Sequence, residues 1–143
     1  MIRQLTVRSS ARSEMIDITG LVRSAVRDSG VRDGVCHVFV PHTTAAVTIN
    51  ENADPDVPRD ILMALDKAIP WQDCYRHREG NAAAHVKSSL VGASEMVLVE
   101  GGQLVLGTWQ SLFFCEFDGP RTRKVLVRVE SSEKGQAQAS PGT

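Results

Sequence analysis

Three of the four histidines in this 143-residue chain fall where polar side chains gather. His42 follows Pro41 in VFVPHTTAAVTINENAD, residues 38–54, with Thr43 beside it and Glu51, Asn52 and Asp54 closing the run. His77 and His85 lie in RHREGNAAAHVKSS, residues 76–89, together with Asn81, Lys87 and Ser88. Neutral imidazoles near carboxylates can hold a divalent ion, with Zn²⁺ the first expectation and other divalent ions after it. The same side chains can also serve as acids and bases, or bind phosphate with the help of Lys87 and Arg121. The spacing of His77 and His85 matches no short metal motif, so either chemistry requires His42, His77 and His85 to converge through the fold. Local turn chemistry, with Thr43 and Asn52 bonding their own backbone, is the competing account of these polar clusters. No glycine-rich nucleotide loop, HExxH, GxSxG or zinc-ribbon spacing occurs.

The elements that must position these residues follow from hydrophobic period and breakers. Strands are predicted at 2–8, 14–18 and 33–40, and a further strand carries the alternation of Ala45, Val47 and Ile49. Pro41 interrupts ladder pairing just before His42. A helix over about 20–29, with Thr19 as N-cap, stops at Gly30. A second follows the DPDVP breaker, with Asp54 or Asp56 as cap and Ile61, Leu62, Leu65, Ala68 and Ile69 as its stripe. A third spans about 81–90, capped by Asn81, with Ala82, Ala83, Val86 and Leu90 facing inward. The remainder reads as antiparallel strands, at 94–99, 104–106, 111–117 and 122–130, with turns at Glu100-Gly101-Gly102 and Asp118-Gly119-Pro120. About eight strands against three helices make an α+β domain over residues 1–130. The strand at 33–40 is apolar on both faces, which predicts cover on both sides. The tail from Ser131 reads as disordered on composition.

Composition narrows the function classes. A hydrophobic fraction of 42% supports one ordinary core. A net charge of −1 gives no drive toward nucleic acid or anionic membrane. No apolar run is long enough to span a bilayer, and MIRQLTVRSS reads as a strand, not a secretory signal. Cys36, Cys74 and Cys115, odd in number and far apart, suggest free thiols in a reducing, cytoplasmic setting.

The stretches HTTAAVTINENADPDV, YRHREGNAAAHVKSSLVG and GGQLVLGTWQSLFFCEFDGPR, in that order, resemble the YjbQ family, also called UPF0047 or the secondary thiamine-phosphate synthase family. The resemblance covers about residues 3–130 and implies a β-sandwich-like core and assembly as a homotrimer. It places the family's polar set on His42, Glu51, Asn52, Asp54, His77, Asn81, His85, Lys87, Ser88, Trp109, Gln110, Asp118 and Arg121. It further implies a pocket between subunits that can hold a metal or an anion. The activity implied joins a hydroxymethylpyrimidine diphosphate to a thiazole phosphate with release of pyrophosphate, so the expected partner is a small phosphorylated molecule. Hydrolysis by a bound metal, and binding without catalysis, are the alternative classes. On this reading His42, His77, His85, Lys87, Asp118 and Arg121 carry the chemistry, and Thr43, Glu51, Asn52, Asn81, Ser88 and Gln110 contact substrate. In the Gly107-Thr108-Trp109-Gln110 segment, Trp109 is expected to pack in the core and Gln110 to reach the pocket.

Overall fold

The short apolar alternations of the sequence are realised as two antiparallel sheets in a computed structural model that describes residues 1–132. The elements are β1 (Ile2–Arg8), β2 (Glu14–Asp17), α1 (Thr19–Ser29), β3 (Gly34–Phe39), β4 (Ala45–Glu51), α2 (Asp56–Ala68) and α3 (Ala82–Val91). They continue with β5 (Ser94–Glu100), β6 (Gln103–Leu104), β7 (Gln110–Glu116) and β8 (Thr122–Ser131). One sheet has the order β1-β8-β3-β5-β6 and the other β2-β7-β4. The α+β architecture with a sandwich-like core read from the sequence is therefore observed. The tail expected to be disordered lies outside the described residues, apart from Ser131 and Ser132: Ser131 ends β8, and the Ser132 amide donates to the Asp33 carbonyl at 2.9 Å.

The core between the sheets takes Leu5, Val38, Val97, Val125 and Val127 from the larger sheet and Ala45, Val47, Leu112 and Phe114 from the smaller. Helix α1 closes it with Val22, Ala25 and Val26. The opposite face of the smaller sheet is also covered. Ala46, Phe113, Cys115 and Phe117 pack there against Ala84 of α3 and Leu62 and Leu65 of α2. Strand β7 is thus buried on both faces, which is why its sequence is a near-continuous apolar run. Burial raises the thiols of Cys36 and Cys115 to about 11 and about 12, so both act as small hydrophobes.

Two expectations about faces and one about a cap require correction. Strand β3 is covered on one side only: Cys36 and Val38 are buried, while Phe39 and His37 stand on an open face. Helix α3 buries Ala82, Ala83, Ala84, Lys87 and Ser88, and leaves Val86 and Leu90 exposed. Small residues let α3 approach β4 closely, so the alanines select the buried side and the larger apolar residues do not. The α1 cap is also different: the Asp17 carboxylate accepts the Thr19 N–H at 2.9 Å, and the Thr19 hydroxyl accepts the Leu112 N–H at 2.9 Å, tying the helix to β7. Among the described residues no helix is long and apolar enough to cross a membrane.

Candidate functional site

At the end of the sandwich where β3 stops and β4 begins lies an open cleft of about 620 Å³. Pro41, His42, Thr43 and Thr44 form one wall, Asn81 and His85 of α3 a second, and Asp118, Arg121 and Arg123 a third. Each wall has a local cause. Pro41 has no N–H to continue the ladder, so the chain leaves β3 and turns across the cleft. Asn81 stands at the α3 N-cap but makes no capping bond with its side chain. Its Nδ2 instead donates to Asp118 Oδ2 at 2.9 Å. Arg121 donates through Nη2 to the same oxygen at 3.0 Å and through Nε to the Asp118 carbonyl at 2.7 Å. The turn between β7 and β8 therefore carries an Asn–Asp–Arg network facing the two histidines. Gly119 is required in that turn, because a Cβ there would lie 2.3 Å from the Ala11 carbonyl oxygen.

Beneath this turn is a charged layer that the sequence reading missed. Glu116 is fully buried and accepts from Arg123 Nε at 2.9 Å and from Arg123 Nη2 at 2.5 Å. The Ser9 hydroxyl donates to Glu116 Oε1 at 2.7 Å, and the Asp118 amide donates to Oε2 at 3.0 Å. Arg123 Nη2 also donates to Thr44 Oγ1 at 2.8 Å, joining the first wall to the third. Burial pushes the Glu116 carboxyl up, but hydrogen bonds from Arg123, Ser9 and the Asp118 amide outweigh it and hold the group below its ordinary value. The signal in the sequence was Glu116 sharing the core-facing side of β7 with Leu112 and Phe114, since a carboxylate there must have a partner. Thr44 and Arg123, which stand beside the Pro41 break and the Asp118-Gly119-Pro120 turn, also line the cleft, and so does Glu79, which sequence reasoning passed over.

The expected site residues divide into two groups. His42, Thr43, Asn81, His85, Asp118 and Arg121 line the cleft. His77 stands behind His85, their rings edge to face with centroids 5.1 Å apart, and its Nε2 lies 3.7 Å from Glu79. Lys87 does not reach the cleft: it is 1% exposed, pairs with Asp66 of α2 and passes 5.9 Å from the Phe117 ring. Ser88 is buried beside it, and among the described residues neither its hydroxyl nor Asn81 Oδ1 has a hydrogen-bond partner. Glu51 ends β4 and Asn52 and Asp54 follow it, at the end of the strand away from His42; β4 itself is about 20 Å long at roughly 3.3 Å per strand residue. There Asn52 Nδ2 donates to Asp17 at 2.8 Å, and Asp54 accepts the Asp56 amide at 2.9 Å ahead of α2.

Gln110 pairs with Glu51 across β4 and β7, so it too is at the far end. Its Oε1 accepts the Gly107 amide at 2.8 Å and closes the turn, so its side chain stabilises local structure in this chain. Trp109, expected in the core, is 62% exposed on that turn.

Of the three imidazoles expected to share a metal, His42 and His85 line the cleft and His77 packs against His85. His42 Nε2 accepts the Lys124 backbone N–H at 2.9 Å, so that lone pair is already used. Among the described residues no group of three or more His, Cys, Asp or Glu is arranged to hold a metal ion.

Residues 3–132 match the model of the family described as "UPF0047 protein YjbQ-like". This chain belongs to that family. It is 52% identical to UPF0047 protein YugU of Bacillus subtilis, over 90% of this chain and 98% of that one. It is 47% identical to UPF0047 protein MJ1081 of Methanocaldococcus jannaschii, over 90% and 94% of the two chains. Among solved structures, an uncharacterized YjbQ/UPF0047 protein of Clostridium acetobutylicum superposes with a TM-score of 0.88 at 55% identity, covering 90% of this chain and 99% of that one. A YbjQ-like protein of unknown function from Sulfolobus solfataricus gives 0.89 at 33% identity, covering 92% and 97%. In this YjbQ-like chain the cleft brings together two histidines, two guanidinium groups, a carboxamide and the carboxylates of Glu79 and Asp118.

Proposed function

We propose that the cleft binds a small phosphorylated molecule and that the chain is a transferase of the thiamine-phosphate synthase type. The observation that carries this reading is the meeting of Arg121, Asn81, His42 and His85 around one open cleft. Arg121 spends Nε and Nη2 on Asp118, which leaves Nη1 free among the described residues to meet a phosphate oxygen. In the reaction proposed, the bond between the pyrimidine methylene carbon and the diphosphate oxygen breaks. The thiazole nitrogen forms a new bond to that carbon, and pyrophosphate leaves with the bonding electrons. Arg121 balances the charge on the departing oxygens, and His85 gives a proton to the leaving group. Mg²⁺ bound to the diphosphate itself suits this better than a histidine cage, because Mg²⁺ keeps oxygen ligands and water.

The direct test supplies both precursors, with and without Mg²⁺, and follows thiamine phosphate by chromatography. His85→Ala and Arg121→Ala are each expected to lower turnover by roughly tenfold or more with folding intact. Turnover unchanged in the double variant would remove this site from the reaction. No product from the native protein would leave hydrolysis or simple binding as the function.

We also propose that the protein works as a homotrimer, as the family resemblance implies. Support comes from the open face of the larger sheet, where Phe39, Met96, Leu98 and Val105 are all about half exposed. Cross-strand pairing sets Met96 against His37 and Leu98 against Val35, so the patch is continuous. Phe39 belongs to both this face and the cleft, so a partner covering the face would border the site. Light scattering coupled to size exclusion is expected to give three times the chain mass of 15.6 kDa at micromolar concentration. A single species at the chain mass would defeat the proposal.

A further inference from the structure

We infer that His42 is locked as a neutral ring carrying its proton on Nδ1, and that it serves the cleft as a fixed hydrogen-bond donor to a phosphate oxygen, not as a base or metal ligand. The donor's target rests on the phosphoryl-ligand reading above; the locked tautomer does not.

The lock comes from sheet register. β8 runs antiparallel to β3, with Phe39 opposite Leu126 as the last pair of that ladder. Beyond it the chain turns away at Pro41, so on the β3 side the ladder ends before Lys124, whose backbone N–H points to that side. His42 Nε2 takes this donor at 2.9 Å. A nitrogen that accepts an N–H carries no proton, and a neutral imidazole has one proton to place. It must be on Nδ1. Nδ1 has no hydrogen-bonded protein partner among the described residues, and the ring lines the cleft.

The surroundings favour the neutral ring. Burial first, and then the Arg123 guanidinium, hold His42 below its ordinary value; the Glu116 carboxylate acts in the other direction and does not prevail. The bidentate pairing of Glu116 with Arg123 keeps that carboxylate turned to the guanidinium, so it is not spent on His42. The cleft thus gains two donors of different kinds, an immobile Nδ1–H and the Nη1 of Arg121. Both suit an oxygen that accepts, and the first is unsuited to a cation.

The tautomer can be read directly. In uniformly ¹⁵N-labelled full-length protein at pH 7, the two ring nitrogens of His42 are expected to show a protonated Nδ1 and a bare Nε2. Adding one equivalent of Zn²⁺ should leave both unchanged. Assignment comes from loss of the pair in His42→Gln and, independently, from the ring's proximity to the Lys124 amide, so it does not depend on the variant folding. A protonated Nε2, fast averaging of the two, or loss of the Nδ1 proton with Zn²⁺ would overturn the inference.

Titration with inorganic pyrophosphate tests the donor role. His42→Phe, which keeps a ring without a donor, should weaken binding about tenfold or more, as for loss of a hydrogen bond to a charged acceptor. Equal affinity in the two proteins would overturn that role. Failure of the native protein to bind pyrophosphate would sink the phosphoryl reading, while the spectra alone decide the tautomer.

Discussion

Replacing Arg123 by Ala is expected to destabilise the protein by about 3–5 kcal/mol at pH 7, the usual cost of removing one partner of a buried ion pair. The guanidinium is the principal counter-charge to Glu116, which has no exposure to water. Without it the carboxylate keeps, among the described residues, only the Ser9 hydroxyl and the Asp118 amide as donors. Thr44 loses a partner in the same substitution. The wall of the cleft carrying Asp118 and Arg121 rests on this layer, so folded variant molecules should also bind anions less tightly.

The pH dependence distinguishes this mechanism from simple loss of packing. In the native protein the folded Glu116 value is held below the ordinary 4.5. Its stabilisation is therefore present above pH 4.5 and is lost as pH falls through the lower folded value. In Arg123→Ala the balance reverses, since burial now dominates and raises the folded value. The unfolded chain then ionises first, and the variant loses stability as pH rises above 4.5. The gap between native and variant should accordingly shrink as pH falls below 4.5 through the lower folded value and widen toward pH 7. Urea unfolding across that range measures it. A gap below about 1 kcal/mol, flat with pH, would mean that Glu116 does not depend on Arg123. The double variant Arg123→Leu/Glu116→Leu should recover much of the loss, because an apolar pair leaves no buried charge.

The strands and turns of this fold were legible because their signals are local. Pro41, Gly30 and Asp118-Gly119-Pro120 interrupt the chain where the structure does, and the alternation along β8 survives as burial. The half of the site formed by His42, Thr43, Asn81, His85, Asp118 and Arg121 was also legible, as polar residues at breaks between apolar elements. What the sequence hid depends on pairing. Glu51 and Gln110 sit opposite one another on β4 and β7, so the two ends of one strand are different places. A polar run read along the chain merges them. The exposed Trp109 has the same origin. Its size argues for burial, yet Gln110 caps the Gly107 amide and holds the turn outward at the start of β7. Trp109→Ala should therefore change stability by no more than about 0.5 kcal/mol, as for an exposed surface position.

Lys87→Ala is expected to cost about 2–5 kcal/mol, comparable with Met→Ala in a core, because its four-carbon stem is buried between helices and sheet. The ammonium ends beside the Asp66 carboxylate of α2 and above Phe117, so the side chain braces α2 against α3 and does not face the cleft. Asp66 is largely exposed, so water still reaches that end of the pair, and the charge itself contributes less than the stem. This ordering separates a brace from a phosphate ligand. Lys87→Met keeps the volume and removes the charge; it should retain most of the stability that Lys87→Ala loses, and should bind pyrophosphate like the native protein. Lys87→Ala, by contrast, should lower the urea midpoint sharply while its folded fraction still binds. Loss of pyrophosphate binding in a stable Lys87→Met protein would return this lysine to the ligand site and would require α3 to present a different face there.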